Sequence, residues 1–340
     1  MPIRVATVRA ADVPSSQTDF TFYVDPARVG VSPLTLAEIN SSRWYTDTDL
    51  VTQMAREIVS VSEAHGKYAS FTSTSKIAID YDGIRADYAV SDTFGRNNVW
   101  TGQRAVYHLN DVNDSTSNAY TLTNNGTTLF VAAKIANGAD FGIANTTKSL
   151  RINNDIGITG GNITMSGLVK LNTEIASITY PLIMQGDSGT HVNYFITYEY
   201  NGGTRRLIFN RQRQAISNNQ INHNITLGTD NWNHIALTYD GTTMRGFVNG
   251  VQVGTLTTSG NGSAYAVDRL LIGADLGQRN VDEASTTQDE TRVSSSVQTA
   301  NWLLTEYNNQ SDEATFWGTW TTFGGGPAAV NARRLFLMMA

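Results

Sequence analysis

Asn-Gly and Asp-Gly dipeptides constrain the fold of this chain more than any other feature of its sequence. Six of them begin at Asp82, Asn125, Asn137, Asn201, Asp240 and Asn249. Asn and Asp tolerate the positive φ angles of a two-residue hairpin turn, and glycine adopts them without strain. No long helical period separates these turns, so the pattern predicts an all-β sandwich rather than an α/β fold.

The composition fits a large β protein and excludes several functional classes. The 340 residues include no cysteine, which rules out disulfides and Cys-ligated zinc or iron–sulfur centres. The formal net charge of −6 argues against broad nucleic-acid binding, whose affinity comes mainly from neutralising phosphates. No stretch of 18 uninterrupted apolar residues occurs, so no helical membrane span is expected.

The segment from Val192 to Tyr200 has the period-two alternation of a β-strand. One face carries Tyr194, Ile196, Tyr198 and Tyr200. The other face carries Asn193, Phe195, Thr197 and Glu199. Two interpretations of the tyrosine face remain open, namely packing in the sandwich core or a platform that stacks against sugar rings. Tyr194, Tyr198 and Tyr200 are therefore candidate glycan-binding residues.

Four arginines lie close together in the next segment, at positions 205, 206, 211 and 213. They fit an exposed strand pair with solvated charge. They also fit contact with an acidic glycan or a neighbouring acidic subunit, because a guanidinium pairs well with carboxylates. Arg211 and Arg213 join the candidate glycan-binding residues on the second interpretation.

Helical signals are few. The segment from Ser294 to Asn308 begins with serines that are candidate caps, and it predicts one short helix that closes the sandwich. The segment from Leu50 to Val59 is compatible with either a helix or a strand, because its ends are β-branched.

The composition shifts near Gly324, where a Gly-Gly-Gly-Pro run predicts a flexible spacer. An arm follows it that carries the apolar residues Leu335, Phe336, Leu337, Met338 and Met339. A free arm would expose these side chains to water, so we expect it to dock onto a partner subunit of a homo-oligomer, with a trimer as one option. A frayed terminus is the alternative.

The stretch from Asn231 to Gly254, NWNHIALTYDGTTMRGFVNGVQVG, resembles the laminin G-like members of the concanavalin A-like superfamily. Its Trp-x-His, Tyr-Asp-Gly and Val-Asn-Gly elements fall in register with the family pattern, in which Trp232 would anchor the following strand in the core. The resemblance extends over roughly residues 100–310 and implies a jelly-roll sandwich.

Residues 57–101 are similar to a small, uncharacterised β domain that precedes laminin G-like domains in bacterial and bacteriophage proteins. The implied domains are residues 1–99, a sandwich at 100–318, and a spacer with its arm at 319–340. The first residues lack the apolar core of a secretory signal, so this similarity favours a bacteriophage virion protein made in the host cytoplasm.

Motifs for catalysis are missing from the sequence. Glycoside hydrolases of this superfamily typically carry Glu-x-Asp-x-x-Glu along one strand, and no glutamate of this chain has that spacing. Asp282-Glu283 and Asp289-Glu290 are interpreted as framework and solvated surface. The five histidines form no metal-ligand motif, and no nucleophile motif occurs.

A calcium site is implied by the resemblance, because many relatives bind Ca²⁺ at the sandwich rim. Asp111, Asn113 and Asp114 would supply some of its oxygen ligands, although a polar turn explains their spacing equally well.

The sequence therefore predicts a non-enzymatic virion protein, exposed on head or tail, whose partners are other virion proteins and a host surface glycan. The alternative is a polysaccharide-binding adhesin or a glycan-cleaving enzyme of the same superfamily.

Overall fold

The computed structural model describes residues 2–142, 148–158, 161–186, 192–213, 216–257, 269–274 and 285–323. Their strands, in chain order, are β1 (Ile3–Thr7), β2 (Gln17–Val24), β3 (Arg43–Tyr45), β4 (Arg56–Ser60), β5 (Glu63–Phe71), β6 (Lys76–Asp80), β7 (Gln103–Tyr107), β8 (Thr123–Asn125), β9 (Leu129–Ala132), β10 (Asn137–Asp140), β11 (Ser149–Ile152), β12 (Ile163–Leu171), β13 (Ile178–Gly186), β14 (Val192–Asn201), β15 (Thr204–Arg213), β16 (Ile216–Asn224), β17 (Asn233–Tyr239), β18 (Thr243–Val248), β19 (Val251–Thr257), β20 (Arg269–Ile272), β21 (Thr286–Ser294) and β22 (Thr321–Thr322). The helices are α1 (Leu36–Asn40), α2 (Arg96–Val99), α3 (Ala300–Ser311) and α4 (Glu313–Trp317), with 3₁₀ turns at Ala10–Asp12 and Pro26–Arg28.

The chain forms two compact units, and their boundary differs from the domain limits inferred from sequence. Among the described residues, those up to Val99 and those from Asn308 to residue 323 form the first unit, and those between Trp100 and Tyr307 form the second. The predicted sandwich extends to residue 318, but α4 and β22 belong to the first unit because β22 pairs with β1. The sandwich is therefore inserted between two parts of the first unit's sequence.

The first unit holds a four-stranded sheet in the order β22-β1-β6-β3 and a three-stranded sheet in the order β2-β5-β4. Its core is aromatic. The ring of Trp317 lies edge-on to Phe22 at 5.2 Å and to Phe71 at 6.0 Å. The Trp317 indole N–H also donates to the buried backbone carbonyl of Tyr23 at 3.0 Å. Residues from the two ends of the chain thus share one core.

The second unit is an antiparallel sandwich, which confirms the predicted all-β fold. One sheet has the order β19-β18-β17-β12-β21-β10-β9, with β7 also pairing with β21. The other has the order β16-β15-β14-β13-β20-β11-β8 and is called here the second sheet. A continuous core of buried residues, among them Phe141, Phe209 and Leu237, includes side chains from both sheets.

The hairpin of β18 and β19 has the predicted turn. Val248 pairs with Val251, which leaves Asn249 and Gly250 as the two turn residues. Their φ angles are 51° and 74°, the left-handed conformation that a two-residue turn of this type requires. The Asn-Gly signal therefore places this hairpin correctly. Trp232, expected in the core, is instead partly exposed, with the Lys170 ammonium 5.6 Å from its ring centre.

The predicted C-terminal helix exists but begins later than expected. Ser294 ends β21, and α3 starts at Ala300, where the Thr299 hydroxyl accepts the Trp302 backbone N–H at 3.1 Å. Threonine rather than serine therefore provides the cap. The ambiguous segment from residue 50 to 59 contains no helix and ends within β4. In the described part of the chain, no helix has the length and apolar character needed to cross a membrane.

Candidate functional site

The tyrosine face of β14 points into the sandwich core, so the predicted sugar-stacking platform is wrong for two of its members. Tyr194 and Tyr198 are both 0 % exposed. Their rings lie 6.0 Å from Tyr239 and 5.6 Å from Tyr180, respectively. The large apolar area of a tyrosine ring is better buried between two sheets than left in water.

Tyr200, at the end of β14, is partly exposed and takes part in a charged cluster at the sandwich rim. The Arg205 guanidinium lies 3.9 Å from the centre of its ring. The same guanidinium donates to Glu174, whose carboxylate also accepts the Tyr198 hydroxyl at 2.8 Å. The hydrogen bond from Arg205 lowers the pKa of Glu174. An open pocket of about 490 Å³, bordered by Arg205 and polar residues such as Asn224, lies beside this cluster.

Arg211 is not on a solvated strand face, as its grouping with the other arginines suggested. It is 2 % exposed, and its guanidinium lies 4.3 Å from the ring centre of Tyr239. Arg211 lies two residues after Phe209 and four after Leu207 on β15, so its side chain shares their inward side of the strand. Arg213 lies at the end of the same strand, opposite Ile216.

The loop predicted to bind calcium is organised by hydrogen bonds of its own. Asp114 is 4 % exposed. Its carboxylate accepts hydrogen bonds of 2.8–3.0 Å from the backbone N–H groups of Val106, Thr116 and Tyr120 and from the Thr116 hydroxyl. Asp111, which is exposed, accepts the backbone and side-chain N–H groups of Asn113. These donors use the oxygens that a Ca²⁺ ion would need, so Asp114 is a structural residue of the loop rather than a ligand.

The predicted arm residues Leu335, Phe336, Leu337 and Met338 lie outside the described residues, as do Asp282 and Glu283.

The outward side of the second sheet carries a row of side chains that the sequence analysis did not assign to a site. Strand register places Leu271, Met184, Phe195, Asn210 and Gln220 next to one another on five neighbouring strands. At about 4.8 Å between strands, the row is roughly 19 Å long. Its apolar half, where Phe195 is partly exposed, adjoins an amide half.

Further polar groups flank this row. Thr197 follows Phe195 by two residues on β14, and Asn222 follows Gln220 by two residues on β16, so both lie on the same side of the sheet as the row. Asn222 is exposed. Asn210 contacts Gln220 at a long 3.5 Å, and its amide oxygen is buried without a hydrogen-bond partner. We call Phe195, Thr197, Asn210, Gln220 and Asn222 the amide face. The two-residue alternation in the sequence of β14 placed the tyrosines on one side of the strand. The same alternation placed Phe195 and Thr197 on the opposite side, where the amide face lies.

Two glutamates in the sandwich lie close enough to resemble a catalytic pair, but an arginine separates them. Arg292 donates to Glu290 at 2.5 Å and to Glu306 at 2.7 Å. His108 contacts Glu290 at 2.6 Å, and His234 contacts Glu306 at 3.0 Å. All five residues are at least 95 % buried. A buried, charge-compensated network of this kind positions strands and helix and offers no open surface to a polymer.

The family comparison agrees with this architecture. Residues 144–304 match the profile of the family described as the concanavalin A-like lectin/glucanases superfamily. The sandwich is a concanavalin A-like domain. The match confirms the resemblance inferred from Trp232 to Gly254. No curated protein matches the chain in sequence.

Solved structures that resemble the concanavalin A-like sandwich include binding domains of toxins. The binding domain of Paraclostridial Mosquitocidal Protein 1 is 13 % identical with a TM-score of 0.50, and the alignment covers 64 % of this chain and 55 % of that one. The Botulinum neurotoxin serotype D ligand binding domain, in complex with N-acetylneuraminic acid, is 12 % identical with a TM-score of 0.49, covering 62 % and 51 %. The chain spans about half the length of these structures, and the 13 % identity to the first of them shows a common fold alone.

Proposed function

We propose that this protein is a non-catalytic glycan-binding protein whose concanavalin A-like sandwich binds saccharides on the amide face. The observation that carries the proposal is the adjacency of the partly exposed Phe195 ring to amide groups on the same side of the sheet. Asn222 is exposed and Gln220 partly exposed at the edge of this face, whereas Asn210 and Thr197 are buried beneath it. A sugar ring has an apolar face of C–H groups and a rim of hydroxyls, so it needs both kinds of partner.

Each half of the amide face suits one part of a sugar. The Phe195 ring, beside Met184, offers an apolar surface for the C–H face. An amide donates and accepts at once, so Asn210, Gln220 and Asn222 can bond hydroxyls in either sense. The unpartnered Asn210 oxygen is an acceptor that a sugar hydroxyl would satisfy. These groups are uncharged, so we expect a neutral saccharide here.

The absence of catalysis is part of the proposal and is supported by the state of the described carboxylates. Glu290 and Glu306 are both bound to Arg292 and buried. Asp289, on the same strand, is 0 % exposed and accepts the Ile135 backbone N–H at 2.8 Å. A glycosidase instead needs a carboxylic acid and a carboxylate that both reach the scissile bond.

The test is the affinity of the full chain for a panel of neutral gluco-, galacto-, manno- and arabino-oligosaccharides, measured by titration calorimetry. Phe195→Ala should weaken the best ligand about tenfold, because ring stacking contributes roughly 1–1.5 kcal/mol. Val251→Ala removes an exposed apolar side chain from the other sheet and serves as the matched control. Equal affinities of Phe195→Ala and the unchanged chain would exclude the amide face.

Exposure of the protein on a bacteriophage virion remains part of the proposal. It is supported by the similarity of residues 57–101 to domains of such proteins. Assembly of a homo-oligomer through the C-terminal arm is likewise proposed, and deletion of residues 324–340 should then lower the mass measured by light scattering.

A further inference from the structure

A second row of side chains crosses the same sheet on its inward side. Gln185 pairs with Tyr194, Tyr194 with Arg211, and Arg211 with Asn219. The four residues therefore occupy one level of four adjacent strands, β13 to β16. Each lies within three residues of a strand end, so the row is at one end of the sandwich rather than at its centre.

Three members of this row hold polar atoms that have no hydrogen-bond partner. Nε and Nη1 of Arg211 are buried and unpartnered, as are Oε1 of Gln185 and Nδ2 of Asn219. Arg211 is 98 % buried, yet within the described part of the chain no carboxylate pairs with it. The pairing is different elsewhere in the sandwich, where the buried Arg292 binds two glutamates.

A buried cation without a counter-ion is costly. Transfer of a lone charged group out of water is strongly unfavourable unless it is paired and hydrogen-bonded. The Tyr239 ring, 4.3 Å from the guanidinium carbon, offsets only part of this cost and uses none of the N–H groups. The donors that remain, on Arg211 and on the Asn219 amide, are suited to an anion with several oxygens.

We propose that this inward row, Gln185, Arg211 and Asn219, is a subsite for an anionic group, the carboxylate of an acidic glycan. Arg211 supplies the charge and Asn219 a further N–H donor, and the Gln185 oxygen accepts a neighbouring hydroxyl. The subsite is distinct from the amide face, because the two rows lie on opposite sides of one sheet. The proposal depends on the proposed function only for the statement that the anion belongs to a glycan.

The direct experiment observes the Arg211 Nε–H group by NMR in the full-length protein. The probes are glucuronate, glucose, and inorganic sulfate at matched ionic strength. Glucuronate should shift the Arg211 Nε–H resonance in a saturable manner, and glucose should not. The proposal would be overturned if glucuronate did not shift the Arg211 Nε–H resonance. It would also be overturned if inorganic sulfate shifted this resonance and glucuronate did not.

Substitution separates a binding role from a structural one. Arg211→Gln should abolish the rise in melting temperature caused by glucuronate and weaken its binding at least tenfold, while the ligand-free protein keeps or gains stability. Lys134→Gln, which removes one exposed positive charge from the same unit, should leave the response intact. A large loss of stability in Arg211→Gln, with no effect of glucuronate on the unchanged chain, would show that Arg211 only packs on Tyr239.

The outcomes also separate this subsite from the amide face. Loss of neutral-sugar binding in Phe195→Ala tests the amide face alone. A glucuronate response that persists in Phe195→Ala and disappears in Arg211→Gln supports the subsite, even if no neutral sugar binds.

Discussion

Arg292 binds two buried glutamates, and this arrangement determines what its removal would do. Burial lowers the pKa of Arg292, but the attraction of Glu290 and Glu306 outweighs it and leaves the pKa raised. Arg292→Leu would leave both carboxylates without their counter-ion. We expect a loss of about 3–5 kcal/mol in the free energy of unfolding, measured by urea denaturation at pH 7.

The control is a variant that removes all three charges at once. Glu290→Gln, Arg292→Leu and Glu306→Gln in combination should be more stable than Arg292→Leu alone, since a buried ion network replaced as a whole is often nearly neutral. If Arg292→Leu alone were as stable as the unchanged chain, Arg292 would not compensate the charges of Glu290 and Glu306 as described.

At the residue scale, sequence reasoning recognised the alternation of β14 but left open whether its tyrosine face packs in the core or binds sugars. Tyrosines suggested stacking, whereas their size favours burial between two sheets. The inward direction of Arg211 could have been predicted, because it follows Leu207 and Phe209 at two-residue spacing and so shares their side of β15. Clustered arginines are ordinarily solvated, and this expectation favoured the outward direction instead. The role of Asp114 could not be derived, because the donors that surround it come from residues up to eight positions away.

At the scale of elements, Gly246 on β18 shows how closely the two sheets approach. A Cβ atom built on Gly246 would lie 2.5 Å from the Phe209 ring of the second sheet. Gly246→Ala should therefore destabilise the protein by about 1–3 kcal/mol through overpacking. The measurement is the melting temperature of Gly246→Ala. The control is Gly161→Ala, because a Cβ atom at Gly161 meets nothing within 4 Å. Equal melting temperatures for the two variants would contradict this packing.

The hairpin of β18 and β19 was the best-predicted element, because its Asn249-Gly250 turn specifies its own backbone conformation. The other signals were less exact, since Asn137 and Gly138 lie within β10, and Gly202 and Gly203 are the turn residues between β14 and β15. The start of α3 was less predictable, because three serines and Thr299 all qualify as caps, and the hydrogen bonds of β21 decide among them.

At the scale of the whole molecule, the first unit is completed by the end of the chain. Glu313 of α4 pairs with Arg28, some 285 positions earlier. Burial raises the pKa of Glu313 to about 7, although Arg28 opposes the shift. This grouping had no signal in the sequence, since nothing local in α4 indicates contact with the N-terminal residues.

The raised pKa of Glu313 makes stability depend on pH. The pKa of a glutamate in the unfolded chain has its ordinary value of 4.5, so the folded state holds the Glu313 proton more tightly. The stabilisation that this proton provides is therefore complete below pH 4.5. It is lost as the pH rises through about 7, by up to about 3 kcal/mol. Unfolding followed by Trp fluorescence between pH 5 and 8 should show this decline. In Glu313→Gln the decline should be smaller, and an identical slope in both proteins would contradict the assignment.

We propose that the protein binds a glycan without cleaving it. The most direct measurement incubates the full-length protein with a panel of neutral and acidic polysaccharides and follows retention and polymer length together. We predict retention with no shortening, unchanged by EDTA and reduced in Phe195→Ala. Shortening of any polymer, or no retention across the panel, would contradict the account.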